Sequence, residues 1–331
     1  MNRPLSISHA QAGFTLVELL LAMVLAAILI AGLSGVTSQV LATHDQVTDR
    51  NELNRQARFA MEQMVRMVSH SPRLLLPLAD NPATNWPEHI REQTVPASPP
   101  PGDSTLATAV LAVTLDRSVD LDGDGTPDAD NDGDGRFDED LNPDNTNDNA
   151  PGIVLIDDDG DGQVDESASI KPLDDNDEDD SSNEETMDGT DNDGDGSIDE
   201  DLKADSNFDG CPGSCSVDDD ADGLLDEGHQ HDDDEDGLIQ EDWFDPVVFY
   251  LAGSSLLQRT PVPWDESGGG IVDGRDFIVS AIAENVTRFR VERLPATAGG
   301  VQLVDLTLEL TSPDSGERVS LRTRVRVGGA L

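Results

Sequence analysis

Positive charge is scarce in this chain. Twenty Lys and Arg stand against 69 Asp and Glu, for a net charge of −49. Residues 116 to 245 hold 50 of those acids with only Arg117, Arg136, Lys171 and Lys203 as bases, so −46 of the total lies there and about −3 elsewhere. Such a surface repels phosphates, which argues against a nucleic-acid partner and in favour of cations as ligands. Aromatic residues make up 4% of the chain, so the acidic stretch has little with which to build a core and needs counter-charge to become compact. Cysteine is limited to Cys211 and Cys215, in Cys-Pro-Gly-Ser-Cys. A zinc site needs more ligands than that; a small disulfide-closed loop is expected if the segment lies outside the inner membrane, and free thiols otherwise. No triad-like serine, paired buried carboxylates with a pocket or phosphate-cradling glycine loop stands out, so no enzyme is expected.

No apolar stretch precedes residue 14. Residues 1 to 13 carry Arg3 and His9, unlike a secretory signal, whose apolar core comes before its cut site. The apolar run follows instead, from Phe14 to about Leu33, long enough to span a bilayer as a helix. It contains one acid, Glu18. A carboxylate at a bilayer centre costs about 2.5 to 3.5 kcal/mol, so Glu18 calls for a partner or a function.

Beyond Gly32 and Gly35, Leu53, Ala57, Ala60, Met64, Met67 and Val68 recur at steps of three and four, while Arg55, Arg58, Glu62 and Arg66 fall largely elsewhere. This predicts an amphipathic continuation of the helix that stops near Ser71-Pro72. The methionines and Phe59 read as core contacts. Residues 73 to 104 are proline-rich and read as a connecting loop, followed by a strand at Leu106 to Leu115. Strands are expected at Val247–Leu251, Ser255–Thr260, Asn285–Leu294, Val301–Leu310 and Glu317–Val327. In the last of these Val319, Leu321, Thr323, Val325 and Val327 alternate with Ser320, Arg322, Arg324 and Arg326. Ser312-Pro313-Asp314-Ser315-Gly316 predicts a hairpin turn before it. The fold class is therefore α+β, an antiparallel sheet covering the amphipathic half of a long helix.

Inside the acidic segment one pattern recurs six times, with aspartates at the first, third and fifth places, glycine at the sixth and usually an apolar residue at the eighth. The copies begin at Asp120, Asp130, Asp157, Asp191, Asp218 and Asp232. Their third- and fifth-place acids are Asp122 and Asp124, Asp132 and Asp134, Asp159 and Asp161, Asp193 and Asp195, Asp220 and Asp222, and Asp234 and Asp236. The ninth place holds Asp128, Asp138, Asp165, Asp199 and Asp226 in the first five, and a glutamate follows at Glu139, Glu166, Glu200 and Glu227 in four of these. The glycine permits the sharp turn by which carboxylates and the next carbonyl converge on a hard cation, and calcium suits this better than magnesium because it accepts more ligands in looser geometry. The glutamate at the twelfth place of an EF-hand is missing and no amphipathic helix follows. A solvated, disordered tract is the competing reading, but an unselected acidic tail would not keep glycine in register. Leu173 to Asp188 has no intact loop and reads as a spacer. His229 and His231, beside the last loop, read as incidental surface histidines rather than transition-metal ligands.

Gly13-Phe14-Thr15-Leu16-Val17-Glu18-Leu19-Leu20, at the head of the apolar run, resembles the processing motif of type IV prepilins. The order of elements, with Leu257-Gln258-Arg259, Ala283-Glu284-Asn285-Val286-Thr287-Arg288-Phe289 and the closing strands, is similar to that of minor pilins of the PilW-like kind and J-type pseudopilins. The acidic loops resemble the calcium arrays of thrombospondin type 3 repeats.

These resemblances imply a leader at 1–13, a helix at 14–72, a linker and first strand at 73–115, a calcium-binding insertion at 116–245 and a completing sheet at 246–331. They imply cleavage after Gly13 and methylation of Phe14 by the prepilin peptidase, with Glu18 serving assembly against other pilin or pseudopilin subunits. The expected place is the inner membrane, single-pass with the C-terminal domain periplasmic, then a type IV pilus or type II secretion pseudopilus. The alternative is a pilus-anchored, calcium-dependent adhesin or partner-docking surface protein.

Overall fold

The computed structural model describes residues 16–80, 87–95, 109–138, 141, 144–166, 173, 175–178, 241–297 and 301–329, and between these last stretches residues 205, 210–212, 215–217, 224–226, 228–232, 235 and 237–239. The chain divides into two compact units, the first ending at Asn51 and the second beginning at Glu52.

One helix, α1 (Leu16–His70), contributes to both units. In the first unit, Leu16–Ser34 is a 19-residue stretch long and apolar enough to cross a membrane, about 28 Å at the helical rise. Its large side chains, among them Leu20, Met23, Ile28 and Ile30, are exposed, and Glu18 lies in its first turn.

The second unit packs the last turns of α1 against two antiparallel sheets. Leu53, Ala57, Ala60, Met61, Met64 and Val68 are buried, one stripe at three- and four-residue steps, while Arg55, Arg58, Glu62 and Arg66 face out. Met67 is half-buried and Phe59, expected in the core, is exposed to 48%. Phe59 sits one residue off the buried stripe, and its helical angle decides its exposure rather than its hydrophobicity. The helix ends where Ser71 N donates to the Met67 carbonyl and Pro72 follows.

The strands are β1 (Leu74–Leu76), β2 (Ile90–Thr94), β3 (Val110–Thr114), β4 (Pro246–Ala252), β5 (Ser255–Pro261), β6 (Phe277–Ala283), β7 (Val286–Thr297), β8 (Val301–Thr311) and β9 (Arg318–Arg326). They form a five-stranded sheet in the order β1-β3-β4-β5-β6 and a four-stranded sheet in the order β2-β7-β8-β9. Three strands have no counterpart in the sequence reading. The short β1 and β2 fall within the stretch read as a connecting loop, and β6 carries exposed Ile278 and Val279 that blur its alternation. Two sheets form where one was expected because β6 and β7, consecutive in the chain, part at Asn285, whose φ of +58° turns the backbone out of the ladder.

Both sheets share one core with the helix, including Met64, Leu111, Phe249, Leu256, Phe289, Leu306, Leu308 and Leu310. Burial of each such side chain contributes about 1.5 to 3 kcal/mol. β3 is buried on both faces. Leu111 and Val113 look into that core, whereas Val110 and Ala112 pack with Leu76, Leu78 and Val248 against Ile153 and Ile156 from the acidic segment. The chain leaves β3 at Thr114 and returns as its neighbour β4, with Val113 opposite Val247 and Thr114 opposite Pro246. All of the acidic segment therefore lies in the connection between two paired strands.

Candidate metal centre

The first three aspartate loops share one backbone plan. Asp120 Oδ1 accepts from Gly123 N at 2.6 Å and its Oδ2 from Gly125 N at 3.2 Å. Asp130 does the same with Gly133 and Gly135 at 2.8 and 3.1 Å, and Asp157 Oδ1 accepts from Gly160 N at 2.7 Å. Third- and fifth-place acids accept from the amide two residues on, as Asp122 does from Asp124 and Asp161 from Gln163. The sixth-place glycines have φ of +100° at Gly125, +98° at Gly135 and +96° at Gly162, a conformation that side chains resist. Ninth-place aspartates close the loops: Asp128 accepts from Leu121 N, Asp165 from Leu155 N and Asp226 from Ser216 N.

This plan gathers carboxylates. One ligand oxygen each from Asp120, Asp122 and Asp128 lie within 4.8 Å of one another, as do those of Asp130, Asp132 and Asp134, of Asp157, Asp159 and Asp161, and of Asp159, Glu166 and Glu178. Asp124, Asp138 and Asp165 stand outside these groups. Asp138 instead meets Arg117 at 3.5 Å. Asp226 and Asp232 are described singly, and Asp232 is buried. Asp191, Asp193, Asp195, Asp199, Asp218, Asp220, Asp222, Asp234 and Asp236, like Gly13 and Phe14, lie outside the described residues. A disulfide joins Cys211 to Cys215.

Burial pushes some of these carboxyls toward their protonated forms. Burial raises Asp128, Asp132 and Asp157, Asp159 to about 6 and Glu166 to about 7; for the last two, neighbouring acids add to it. Burial and the charge of Asp158 raise Glu178 as well. Oxygen donors without matching positive charge suit a hard divalent cation, and buried oxygens of Glu166 and Glu178 that have no hydrogen-bond partner among the described residues point the same way. The clusters could hold a metal ion; the donor set fits one.

The third loop is also fastened to the sheets. Arg91 of β2, fully buried, donates to the carbonyls of Asp157, at 3.0 Å, and Asp158, and its guanidinium lies 3.6 Å from the Asp157 carboxylate. A Cβ on Gly160 would run into that guanidinium. Arg259 of β5 donates to the Val154 carbonyl at 2.8 Å, and Arg275 to those of Asp148 and Asn149. None of these basic residues, nor Glu178, was singled out from the sequence as part of the site. For Arg91 and Arg259 the one signal is a charge at an inward strand position, as in Ile90-Arg91-Glu92. The spacer reading also changes: Asp175, Asp177 and Glu178 are buried rather than solvated.

Among the described residues the same backbone turn occurs once outside the acidic segment, between β5 and β6. Asp265 accepts from Gly268 N at 2.6 Å and Gly270 N at 2.9 Å. Ser267 and Gly269 hold its third and fifth places, so the turn brings no carboxylate cluster.

A family model for the prokaryotic N-terminal methylation motif matches residues 8–34. No curated protein and no solved structure matches the chain. The motif supports a type IV pilin-like protein: a prepilin-type precursor processed by prepilin peptidase and assembled with other pilin subunits. With one N-terminal apolar helix it fits a single-pass inner-membrane anchor, and with the α+β architecture a pilin-like fold. It marks a structural, pilin-like protein.

Proposed function

We propose that the chain is a minor pilin or pseudopilin of a type IV pilus or type II secretion pseudopilus, carrying a calcium-binding insertion at residues 116–245. The observation that carries the subunit reading is the methylation motif at residues 8–34, followed without a break by a helix whose later turns pack into an α+β domain. The peptidase cuts after Gly13 and methylates the new amine of Phe14. Glu18, in the apolar stretch, then pairs with the amine of a neighbouring subunit, which offsets the cost of a carboxylate in an apolar filament. The domain from residue 52 onward lies in the periplasm before assembly.

Glu18→Ala is expected to insert and to be cleaved, as read by the mass of the mature N-terminus with and without the peptidase, yet to assemble poorly. Normal piliation or secretion by that variant would sink the subunit reading.

Calcium is the ion the loops suit. Its tolerance for seven or so oxygen ligands matches clusters of three carboxylates with backbone carbonyls, in the affinity range of extracellular modules, about 0.1 to 1 mM. A second reading has its own support. The acidic arm interrupts the β3–β4 connection while leaving their pairing intact, as a displayed adhesin or partner-docking module would. Deleting 116–245 separates the two: loss of adhesion with assembly kept favours display, and loss of both favours a structural role.

A further inference from the structure

Around the third loop the acids fall into two overlapping groups rather than one. Asp157, Asp159 and Asp161 bring ligand oxygens within 4.8 Å of one another, and Asp159, Glu166 and Glu178 do so again, with Asp159 common to both groups. A carboxylate has two oxygens and can bridge two cations. Glu178 comes from a stretch with no aspartate–glycine pattern, yet it is 3% exposed. Its Oε2 accepts from the Asp158 amide at 3.0 Å, which fixes the side chain, while its Oε1 is buried with no hydrogen-bond partner. Glu166 Oε2 is in the same position. Leaving a buried acceptor unsatisfied is costly, the more so when it is charged, so both oxygens call for a partner that the described residues do not provide.

Charge gives the same answer independently. Asp157, Asp158, Asp159, Asp161, Glu166 and Glu178 are six acids; the positive side chain acting on all of the first three is Arg91, and Arg259, which is paired with Asp148, also reaches Asp158. One dication leaves the group at about −3, and two bring it to about −1.

We infer that the third loop holds two divalent cations, bridged by Asp159, and that Glu178 closes the second site together with Glu166. This rests on the reading of the loops as calcium sites and adds to it a ligand from outside the loop pattern. The consequence is mechanical. The loop follows directly on Ile153 and Ile156, which cover the outer face of β3, and Arg91 holds its carbonyls. A cation bound by Glu178 therefore ties residues 175–178 to a point already fixed on the sheets.

The test is equilibrium dialysis of the full-length chain in detergent against calcium at about 0.1 to 1 mM, counting ions per chain. Glu178→Gln is expected to bind one ion fewer than the unaltered protein. Glu166→Gln should also lose one, and the double variant no more than either alone, because both residues serve one site. Asp122→Asn, in the first loop, should lose its own ion additively with Glu178→Gln. An unchanged count in Glu178→Gln, or loss of two in the double variant, overturns the inference while leaving the loop reading intact. If the unaltered protein binds no calcium, the loop reading fails and takes this inference with it. Circular dichroism in calcium checks that the sheets persist, and should Glu178→Gln fold poorly, Glu166→Gln alone still decides between loss and no loss.

Discussion

Acids crowd two regions of this molecule and meet opposite fates. On one face of the four-stranded sheet, Asp305 accepts from Arg322 at 2.7 Å and from Arg324 at 2.5 Å, Glu309 pairs with Arg288 and Arg318, and Glu92 with Arg288 and Arg290. Hydrogen bonds from Arg324 and then Arg322 hold the Asp305 carboxyl down to about 2 against the effect of burial. In the third loop Asp159 and Glu166 go up, to about 6 and 7. The two sets differ in whether positive charge is built into the chain. The sheet carries its counter-ions on β7 and β9, whereas the loops, on the reading proposed above, recruit theirs from solution.

The strongest way to break that comparison is to remove the recruited ions. At a calcium concentration ten times Kd each ion stabilises by about 1.4 kcal/mol, or about 10 kcal/mol over six loops with two ions in the third. A chelator should therefore open the 116–245 segment to protease and leave the sheets folded. Identical cleavage patterns with and without chelator would mean that the loops need no ion.

Next in size is Arg91→Met, which keeps bulk but removes the one guanidinium facing Asp157. Losing one member of a buried pair costs about 3 to 5 kcal/mol. We expect faster amide exchange at Leu155 to Asp161 and a lower melting point. Unchanged exchange there would mean that Ile153 and Ile156 alone hold the loop.

Asp148 offers a subtler contrast, since it is buried beside a built-in arginine, Arg259, at 3.9 Å, and yet burial pushes its carboxyl up to about 7. Because the folded value lies above the unfolded one of about 4, its protonated form favours folding. That stabilisation is complete below pH about 4 and is lost as pH rises through about 7. In chelator, the melting point should fall from pH 5 to pH 8, and Asp148→Asn should flatten the fall. An equal slope in the variant would assign the pH dependence to other groups.

The smallest effect belongs to Asp305→Asn. Its partners Arg322 and Arg324 are largely exposed, so water screens the network and the variant should melt only slightly lower, a difference erased at high salt. The native Asp305, with its depressed value, contributes above pH about 4 and loses that contribution as pH falls through about 2, the reverse of Asp148. A large loss at neutral pH and high salt would show that the pair is more than a surface network.

Much of the scaffold was legible from the residues. The buried helical stripe from Leu53 to Val68 is close to the periodic one, with Met61 added and Met67 half-buried, and the β8–β9 hairpin lies where alternation and its turn put it. Short or two-faced strands were not legible, because three residues in β1 carry no period and β6 exposes apolar side chains on both faces, Ile278 on one and Val279 on the other. The first three loops were found through their glycines, which a local turn requires.

What escaped was everything held by residues distant in sequence. Arg91 and Asp157, or Glu178 and Asp159, lie far apart along the chain and meet in the packed structure. The sequence by itself determined the membrane-length helix with its single acid, the amphipathic continuation and the repeated cation-seeking turns, because each rests on spacing within a few residues. Only the tertiary structure decided that the chain builds two sheets and that Ile153, Ile156 and Arg91 dock the acidic arm on them. It also decided that the third loop differs from the first two, since burial and the meeting of distant charges arise only when the chain is packed.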